Sequence, residues 1–196
     1  RDDPSVGVVR LAVVRHKSSG SAAERIGSLV FNPGGPGGSG VQSIASVWGI
    51  LPAAVKRHFD LVSWGPRGVN ESTPSLSGCA TPYPIRPVTG PIDWAQVARK
   101  FSRDLGVANR ACQRKNATII QHMSTVENVY DLDRIRAALG EDQLTYWGMS
   151  YGTRIGYVYA LLFPDRMRAF VLDGSIDPAG TLIGLATFGS ETIAWR

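Results

Sequence analysis

Short apolar runs alternate along the chain with longer amphipathic segments. The apolar runs have the length and composition of buried β-strands, and they lie at residues 26–31 (IGSLVF), 59–64 (FDLVSW), 143–147 (QLTYW) and 167–172 (MRAFVL). Residues 6–15, which are rich in valine and leucine, predict one further strand ahead of them.

Helical patterns fill most of the intervals between these runs. They predict helices over residues 41–48, 52–57, 94–115 and 151–163. Another helix can be capped by Ser124 or Thr125, and Glu127 lies at capping-box spacing from Ser124. Its apolar positions are Val126, Val129, Leu132, Ile135 and Leu139. Strands and helices that alternate in this way predict an α/β fold, with a mostly parallel sheet and helices on both faces.

Residues 70–92 interrupt the alternation, because they are dense in proline, serine, threonine and glycine. We expect them to form an excursion over the surface. The only two cysteines, Cys79 and Cys112, lie in this excursion and in the helix after it. Their spacing is not that of a metal site. A disulfide between them would staple the excursion, and two unpaired thiols are the alternative.

Composition narrows the class of protein. The chain has 196 residues, of which 43% are hydrophobic and 19% charged, as in one folded domain. No apolar run is long enough to cross a bilayer. The formal net charge of +5 comes from basic residues scattered among acidic ones, which is typical of solvated surfaces and not of a nucleic-acid groove. We expect no metal and no cofactor.

One pentapeptide has a pattern that is typical of a nucleophilic serine. Gly148-Met149-Ser150-Tyr151-Gly152 has the G-x-S-x-G pattern, and it follows a predicted strand and opens a predicted helix. That is the setting of a nucleophile elbow, in which a tight, strained turn lifts the serine hydroxyl clear of the sheet. Ser150 is therefore the candidate nucleophile, and an idle serine in a glycine-rich turn is the alternative.

A second glycine-rich segment, residues 32–40 (NPGGPGGSG), follows an earlier buried strand. Acyl transfer requires two N–H donors aimed at the developing oxyanion. We expect one to be the backbone N–H of Tyr151 and the other to come from this loop. A phosphate-binding loop is a weaker interpretation, because no G-K-[ST] follows, and a plain flexible turn is the third.

Together these segments resemble the secreted tripeptidyl and prolyl aminopeptidases, which are proline-iminopeptidase-like serine peptidases. The resemblance rests on residues 29–40 (LVFNPGGPGGSG), 59–69 (FDLVSWGPRGV), 131–136 (DLDRIR) and 146–153 (YWGMSYGT), and on FPDR and VLDG farther along. It implies an α/β-hydrolase fold, with Ser150 as nucleophile and Gly35 and Tyr151 as oxyanion donors. It also implies a peptide substrate and a secreted or cell-envelope location.

The sequence departs from the family pattern at one informative position. Gly65 stands where the family usually has an acidic residue. The local hydrogen bonds of that carboxylate must therefore be absent or replaced.

A general base for Ser150 is missing from this sequence. The three histidines, His16, His58 and His122, all precede Ser150, whereas this fold places the histidine after the nucleophile and the acid. We interpret all three as surface residues. Asp173 could hold an acid position used by a minority of such folds, and Glu191 is a candidate, by position alone, for recognition of a substrate amine.

These observations suggest that the chain is the N-terminal part of a hydrolase. Residues 1–178 would belong to the core and residues 179–196 to the start of a cap. A C-terminal portion of the same hydrolase would then supply the acid, the histidine and the last strands. The expected activity is exopeptidase cleavage through an acyl-enzyme on Ser150. The alternatives are an esterase or other acyl hydrolase, and a truncated, non-catalytic domain.

Overall fold

The described part of the chain, residues 7–76, 79 and 91–178 of a computed structural model, forms a five-stranded sheet. The strands are β1 (Val13–His16), β2 (Gly27–Asn32), β3 (Phe59–Trp64), β4 (Leu144–Met149) and β5 (Met167–Asp173), in the spatial order β1-β3-β2-β4-β5. The strands β2 to β5 are parallel, and β1 pairs antiparallel with β3. The prediction of a mostly parallel sheet is confirmed.

The helices are α1 (Gly40–Ile50), α2 (Ala53–His58), α3 (Trp94–Lys115), α4 (Ala117–Ile120), α5 (Thr125–Ala138) and α6 (Tyr151–Leu162), and a short 3-10 helix covers Pro164–Arg166. Five of the six match predicted helices to within two residues at either end, and α4 was not predicted. Ser124 caps α5 as expected, since its hydroxyl accepts a hydrogen bond from the backbone N–H of Glu127 at 3.2 Å.

Alternate residues of each central strand point to opposite faces of the sheet, and each face has its own core. On one face Val30, Val62 and Tyr146 pack with the buried residues of α5 and α6. On the other face Leu29, Phe31 and Leu61 pack against Ile44 and Val47 of α1. Helices therefore cover both faces of the sheet. Because β2 to β5 are parallel, their carboxyl ends lie at the same edge of the sheet.

The first predicted strand is longer than the observed one. Residues 6–15 were expected to be extended, but β1 begins only at Val13. The register explains the difference: Val13 pairs with Trp64, the last residue of β3, so no partner strand continues beyond it. Arg10 instead forms an isolated bridge with Thr73.

The two cysteines form a disulfide, Cys79–Cys112, so the prediction of a bridge is confirmed over the alternative of free thiols. The bridge holds α3, none of whose residues is buried. Residues 77–78 and 80–90 lie outside the described part, as do residues 179–196, the expected start of a cap. In the described ranges we find no helix long and apolar enough to cross a membrane, and no cluster of side chains suited to a metal ion.

Candidate active site

Ser150 lies on the turn between β4 and α6, at the carboxyl end of the parallel strands. Its φ of 51° and ψ of −119° place a non-glycine residue in a strained region of backbone space. The backbone holds this geometry from both sides. The N–H of Ser150 donates to the carbonyl of Asp173 at 2.8 Å, and its own carbonyl accepts from the N–H of Thr153 at 2.9 Å. The residue is exposed, so the turn presents its hydroxyl to solvent.

The glycines on either side of Ser150 leave no space for a side chain. A Cβ at Gly148 would lie 2.5 Å from the carbonyl oxygen of Gly152, and a Cβ at Gly152 would lie 2.8 Å from the carbonyl oxygen of Asn32. The hydroxyl of Tyr146, a buried residue of β4, donates to the carbonyl of Gly152 at 2.9 Å. Burial raises the pKa of that hydroxyl, which therefore stays a donor. The backbone on either side of Ser150 is therefore in close contact with its neighbours.

The glycine-rich loop after β2 approaches the elbow at Gly34. A Cβ there would lie 2.3 Å from the carbonyl oxygen of Met149 and 3.0 Å from the backbone nitrogen of Tyr151. The φ of Gly34 is +86° and that of Gly35 is +116°, both in the region that favours glycine. The two sequence segments singled out for chemistry, more than a hundred residues apart, therefore meet at backbone contact.

The N–H groups of this loop are not equivalent. The N–H of Gly34 donates to the side-chain Oδ1 of Asn32 at 2.9 Å, a contact buried from solvent. Within the described residues, the N–H of Gly35 and that of Tyr151 have no hydrogen-bond acceptor. The amino terminus of α6 adds its partial positive charge at Tyr151. The site therefore presents an exposed hydroxyl, two uncommitted backbone N–H groups and a helix amino terminus.

Glu71, which sequence reasoning missed, ties the far end of the glycine-rich loop to the segment after β3. Ser39 caps α1, and its hydroxyl donates to Glu71 at 2.8 Å. The side-chain amide of Gln42 donates to the same carboxylate at 2.9 Å. The hydrogen bond from Ser39 is the main cause that lowers the pKa of Glu71. No sequence signal pointed to this link, because Glu71 lies in the predicted surface excursion.

Two hydroxyls brace the start of α6. That of Tyr151 is hydrogen-bonded to Thr125 of α5 at 2.6 Å. The hydroxyl of Thr153, which is fully buried, donates to the carbonyl of Ser150 at 2.6 Å and accepts from the N–H of Ile176 at 3.1 Å. The elbow is therefore joined to α5 and to the chain that leaves β5.

The histidines do not meet Ser150. His58 directly precedes β3 and contacts the carbonyl of Glu24, at the amino end of the sheet. His16 stacks on Trp48, with ring centroids 3.8 Å apart, and pairs with Leu61 near that same end. His122 lines a cavity of about 830 Å³ together with Arg67. Among the residues that the structure describes, no histidine ring is hydrogen-bonded to Ser150.

The two acidic residues singled out in the sequence, Asp173 and Glu191, differ in where they lie. The backbone of Asp173 is adjacent to Ser150 through the hydrogen bond described above, whereas Glu191 lies outside the described residues. At Gly65, where the family usually has an acidic residue, Ser72 supplies side-chain hydrogen bonds. Its buried hydroxyl donates to the carbonyl of Gly65 at 2.6 Å and accepts from the N–H of Ala12 at 3.0 Å.

Comparison with known proteins agrees with this geometry. The family model for the alpha/beta hydrolase fold matches residues 27–195. The chain is 42% identical over 180 residues to serine protease Hip1 of Mycobacterium tuberculosis, covering 90% of the chain and 34% of that protein. It is 39% identical over 180 residues to a tripeptidyl aminopeptidase of Streptomyces coelicolor, covering 87% of the chain and 32% of that protein.

A variant of the Vigna radiata epoxide hydrolase superposes with a TM-score of 0.52 at 17% identity, covering 92% of the chain and 41% of the enzyme, which indicates a shared fold only. The chain spans about a third of the length of the curated relatives it matches. The matched family model covers most of the chain, and the mostly parallel sheet with helices on both faces agrees with its fold. The chain belongs to the α/β-hydrolase family.

Proposed function

We propose that this chain carries the nucleophile and the oxyanion hole of a serine peptidase, with Ser150 forming an acyl-enzyme with a peptide carbonyl. The observation that carries the proposal is the contact between Gly34 and the backbone of Met149 and Tyr151, because it brings the glycine-rich loop and the elbow into one site. The membership of a hydrolase family supports it.

In the proposed reaction the Ser150 hydroxyl attacks the substrate carbonyl and loses its proton to a base. The carbonyl oxygen becomes an oxyanion, which the backbone N–H groups of Tyr151 and Gly35 stabilise. Gly35 is the better donor than Gly34, since the N–H of Gly34 is already donated to Asn32. The protonated base gives its proton to the leaving nitrogen as the tetrahedral intermediate collapses, which expels the amine and leaves an ester on Ser150. Water then hydrolyses this ester, which releases the carboxylic acid and restores the serine hydroxyl.

The base and the acid of this reaction would come from a C-terminal portion of the same hydrolase. The positions of His16 and His58, at the amino end of the sheet, argue against a role for either. A further portion has a place to pair, since β5 is an edge strand of the sheet and its Val171 is 58% exposed. In this proposal residues 1–178 are core, residues 179–196 begin a cap, and further strands pair with β5.

The substrate class proposed is the amino terminus of a peptide, from which short peptides or single residues are released. Similarity to a serine protease and to a tripeptidyl aminopeptidase supports this choice, and 38% identity to a carboxylesterase B of Mycobacterium tuberculosis makes an esterase the second candidate. The disulfide supports a secreted or cell-envelope location, since such bonds persist in oxidising compartments.

The test uses the parent protein, meaning the full polypeptide that contains this chain. Aminoacyl and tripeptidyl p-nitroanilides are compared with short acyl esters, and Ser150→Ala is compared with wild type. We expect amide cleavage, and a loss of at least about 10⁴-fold in kcat/KM for Ser150→Ala, because the nucleophile itself is removed. Labelling of wild type by a fluorophosphonate should be lost in the same variant.

Ser175→Ala is the matched control, since Ser175 is an exposed serine just beyond β5 whose hydroxyl donates locally, to the carbonyl of Leu172. It should keep the wild-type rate. Cleavage of esters alone would remove the peptidase claim and leave an acyl hydrolase. An active Ser150→Ala variant, or an unreactive Ser150 in the wild type, would overturn the proposal altogether.

A further inference from the structure

Asn32, the last residue of β2, touches both halves of the site without being one of its reacting groups. Its side chain is 1% exposed, and its Oδ1 accepts the hydrogen bond from the N–H of Gly34. A Cβ at Gly152 would lie 2.9 Å from the same Oδ1 and 2.8 Å from the carbonyl oxygen of Asn32. Asn32 is therefore wedged between the glycine-rich loop and the first turn of α6.

The orientation of this amide is fixed by chemistry. An N–H group can only donate, so the atom that faces Gly34 must be the carbonyl oxygen of the side chain and not the NH₂. The Nδ2 group is buried and, within the described residues, has no hydrogen-bond partner. Burying an amide with half of its hydrogen-bonding capacity unused is costly, and the hydrogen bond to Oδ1 is the contact that offsets part of this cost.

The hydrogen bond to Gly34 determines where the next N–H can point. It closes a turn over residues 32–34 and directs the N–H of Gly34 back toward β2. Because the Gly34 N–H is already hydrogen-bonded to Asn32, the next N–H along the loop, that of Gly35, is the first one available to bind a substrate oxygen. Apolar side chains of similar size would fill the space but would leave the loop free to rotate both N–H groups.

We propose that Asn32 is a positioning residue that fixes the Gly35 N–H for the oxyanion, and this inference rests on the function proposed above. Oxyanion stabilisation acts in the transition state, so loss of Asn32 lowers kcat and leaves KM nearly unchanged. Removal of one oxyanion donor typically lowers kcat 10²- to 10³-fold, and a displaced donor approaches the lower figure.

The experiment measures kcat and KM of the parent protein carrying Asn32→Leu, with active sites counted by fluorophosphonate titration. We expect kcat to fall about 100-fold and KM to stay within about twofold. Asn128→Leu is the matched control. Asn128 is another buried asparagine with one side-chain hydrogen bond, to Ser124 at 3.0 Å, and one unsatisfied atom, but it lies in α5. It should lower the Tm as much as Asn32→Leu does while keeping the wild-type kcat.

Asn32→Ser adds a readout that a purely structural role would not give, and it serves if the leucine variant fails to fold. A neutral hydroxyl oxygen can still accept from the Gly34 N–H in the same local turn, so this variant should have a kcat at least tenfold above that of Asn32→Leu, or within tenfold of wild type. A kcat for Asn32→Leu within threefold of wild type, with activity that still depends on Ser150, would overturn the inference alone. Activity independent of Ser150 would instead overturn the proposed function.

Discussion

The two ends of the parallel sheet are held together by different chemistry. At the carboxyl end, the groups that hold the elbow and the start of the glycine-rich loop are uncharged: the amide of Asn32 and the hydroxyls of Tyr146 and Thr153. The carboxylate of Glu71 binds Ser39 at the far end of that loop. At the amino end the links are ionic. Asp60 of β3 lies 2.7 Å from Arg25 and 2.9 Å from Arg15, and Arg25 also pairs with Glu141 at 3.1 Å.

This difference has a functional reason if Ser150 acts as proposed. A fixed charge beside a developing oxyanion would shift its energy by several kcal/mol in a site shielded from water. Neutral hydrogen bonds fix the backbone without adding such a field. The far end of the sheet has no reacting group near it, so ion pairs can link β1, β3 and the turn before β2 there. We therefore expect an added side chain at the elbow to lower the stability of the protein most, and we expect the links at the amino end to make its stability depend on pH.

The largest effect is expected from Gly148→Ala, at the carboxyl end. The added methyl group would meet the carbonyl of Gly152 at 2.5 Å and the ring of Tyr146 at 2.7 Å, and neither the backbone nor a fully buried ring can move aside cheaply. We expect the free energy of unfolding to fall by about 3 kcal/mol, measured by chemical denaturation. Ser150 should also lose its reaction with a fluorophosphonate. A change below about 1 kcal/mol would show that the elbow is less tightly packed than these contacts indicate.

The second effect is expected from Asp60→Asn, at the amino end. Burial alone would raise the pKa of Asp60, but hydrogen bonds from the Ser18 backbone N–H and from Arg25 outweigh it, so the pKa is lowered. Loss of the charge-assisted bonds should lower the free energy of unfolding by about 2 kcal/mol at pH 7.

The pH dependence of this difference follows from the sign of the shift. A carboxyl group with a lowered folded-state pKa stabilises the fold at pH above its unfolded value, near 3.9, and loses that contribution as the pH falls through the folded value. Wild type and Asp60→Asn should therefore converge below pH 4, as followed by denaturation at a series of pH values. If the difference in free energy of unfolding between the two proteins stayed constant down to pH 2, the loss in Asp60→Asn would come from packing and not from the charge.

The elements nearest the site were the most predictable from sequence. Buried parallel strands such as β2 and β4 appear as short apolar runs, and the glycines that end them mark the loop and the elbow. The strained φ of Ser150 followed from the spacing of Gly148 and Gly152 between a predicted strand and a predicted helix. Local chemistry decides these features, so the sequence contains enough to infer them.

Features that depend on distant partners could not be inferred. The length of β1 is set by where β3 ends, and the link between Glu71 and Ser39 joins residues 32 positions apart. Arg67 and Asp131, buried and paired across 64 positions, both stood in segments that carried the family resemblance, but nothing in either segment named the other as its partner. Asn32 was visible only as a turn residue, because its role depends on the packing of the first turn of α6 against the end of β2.

The smallest effect is expected from Gly106→Ala, which repeats the Gly148 substitution in a helix with no buried residue. At Gly106 of α3 the new methyl group would meet only the flexible end of Arg110, at 3.4 Å. Alanine is favoured over glycine in a helix interior, so α3 should become more stable, by about 0.5 to 1 kcal/mol. Hydrogen exchange of the α3 amides would measure this gain, and fluorophosphonate labelling of Ser150 should be unchanged. If Gly106→Ala destabilised the protein as Gly148→Ala is expected to, the cost would belong to glycine replacement in general and not to the packing of the elbow.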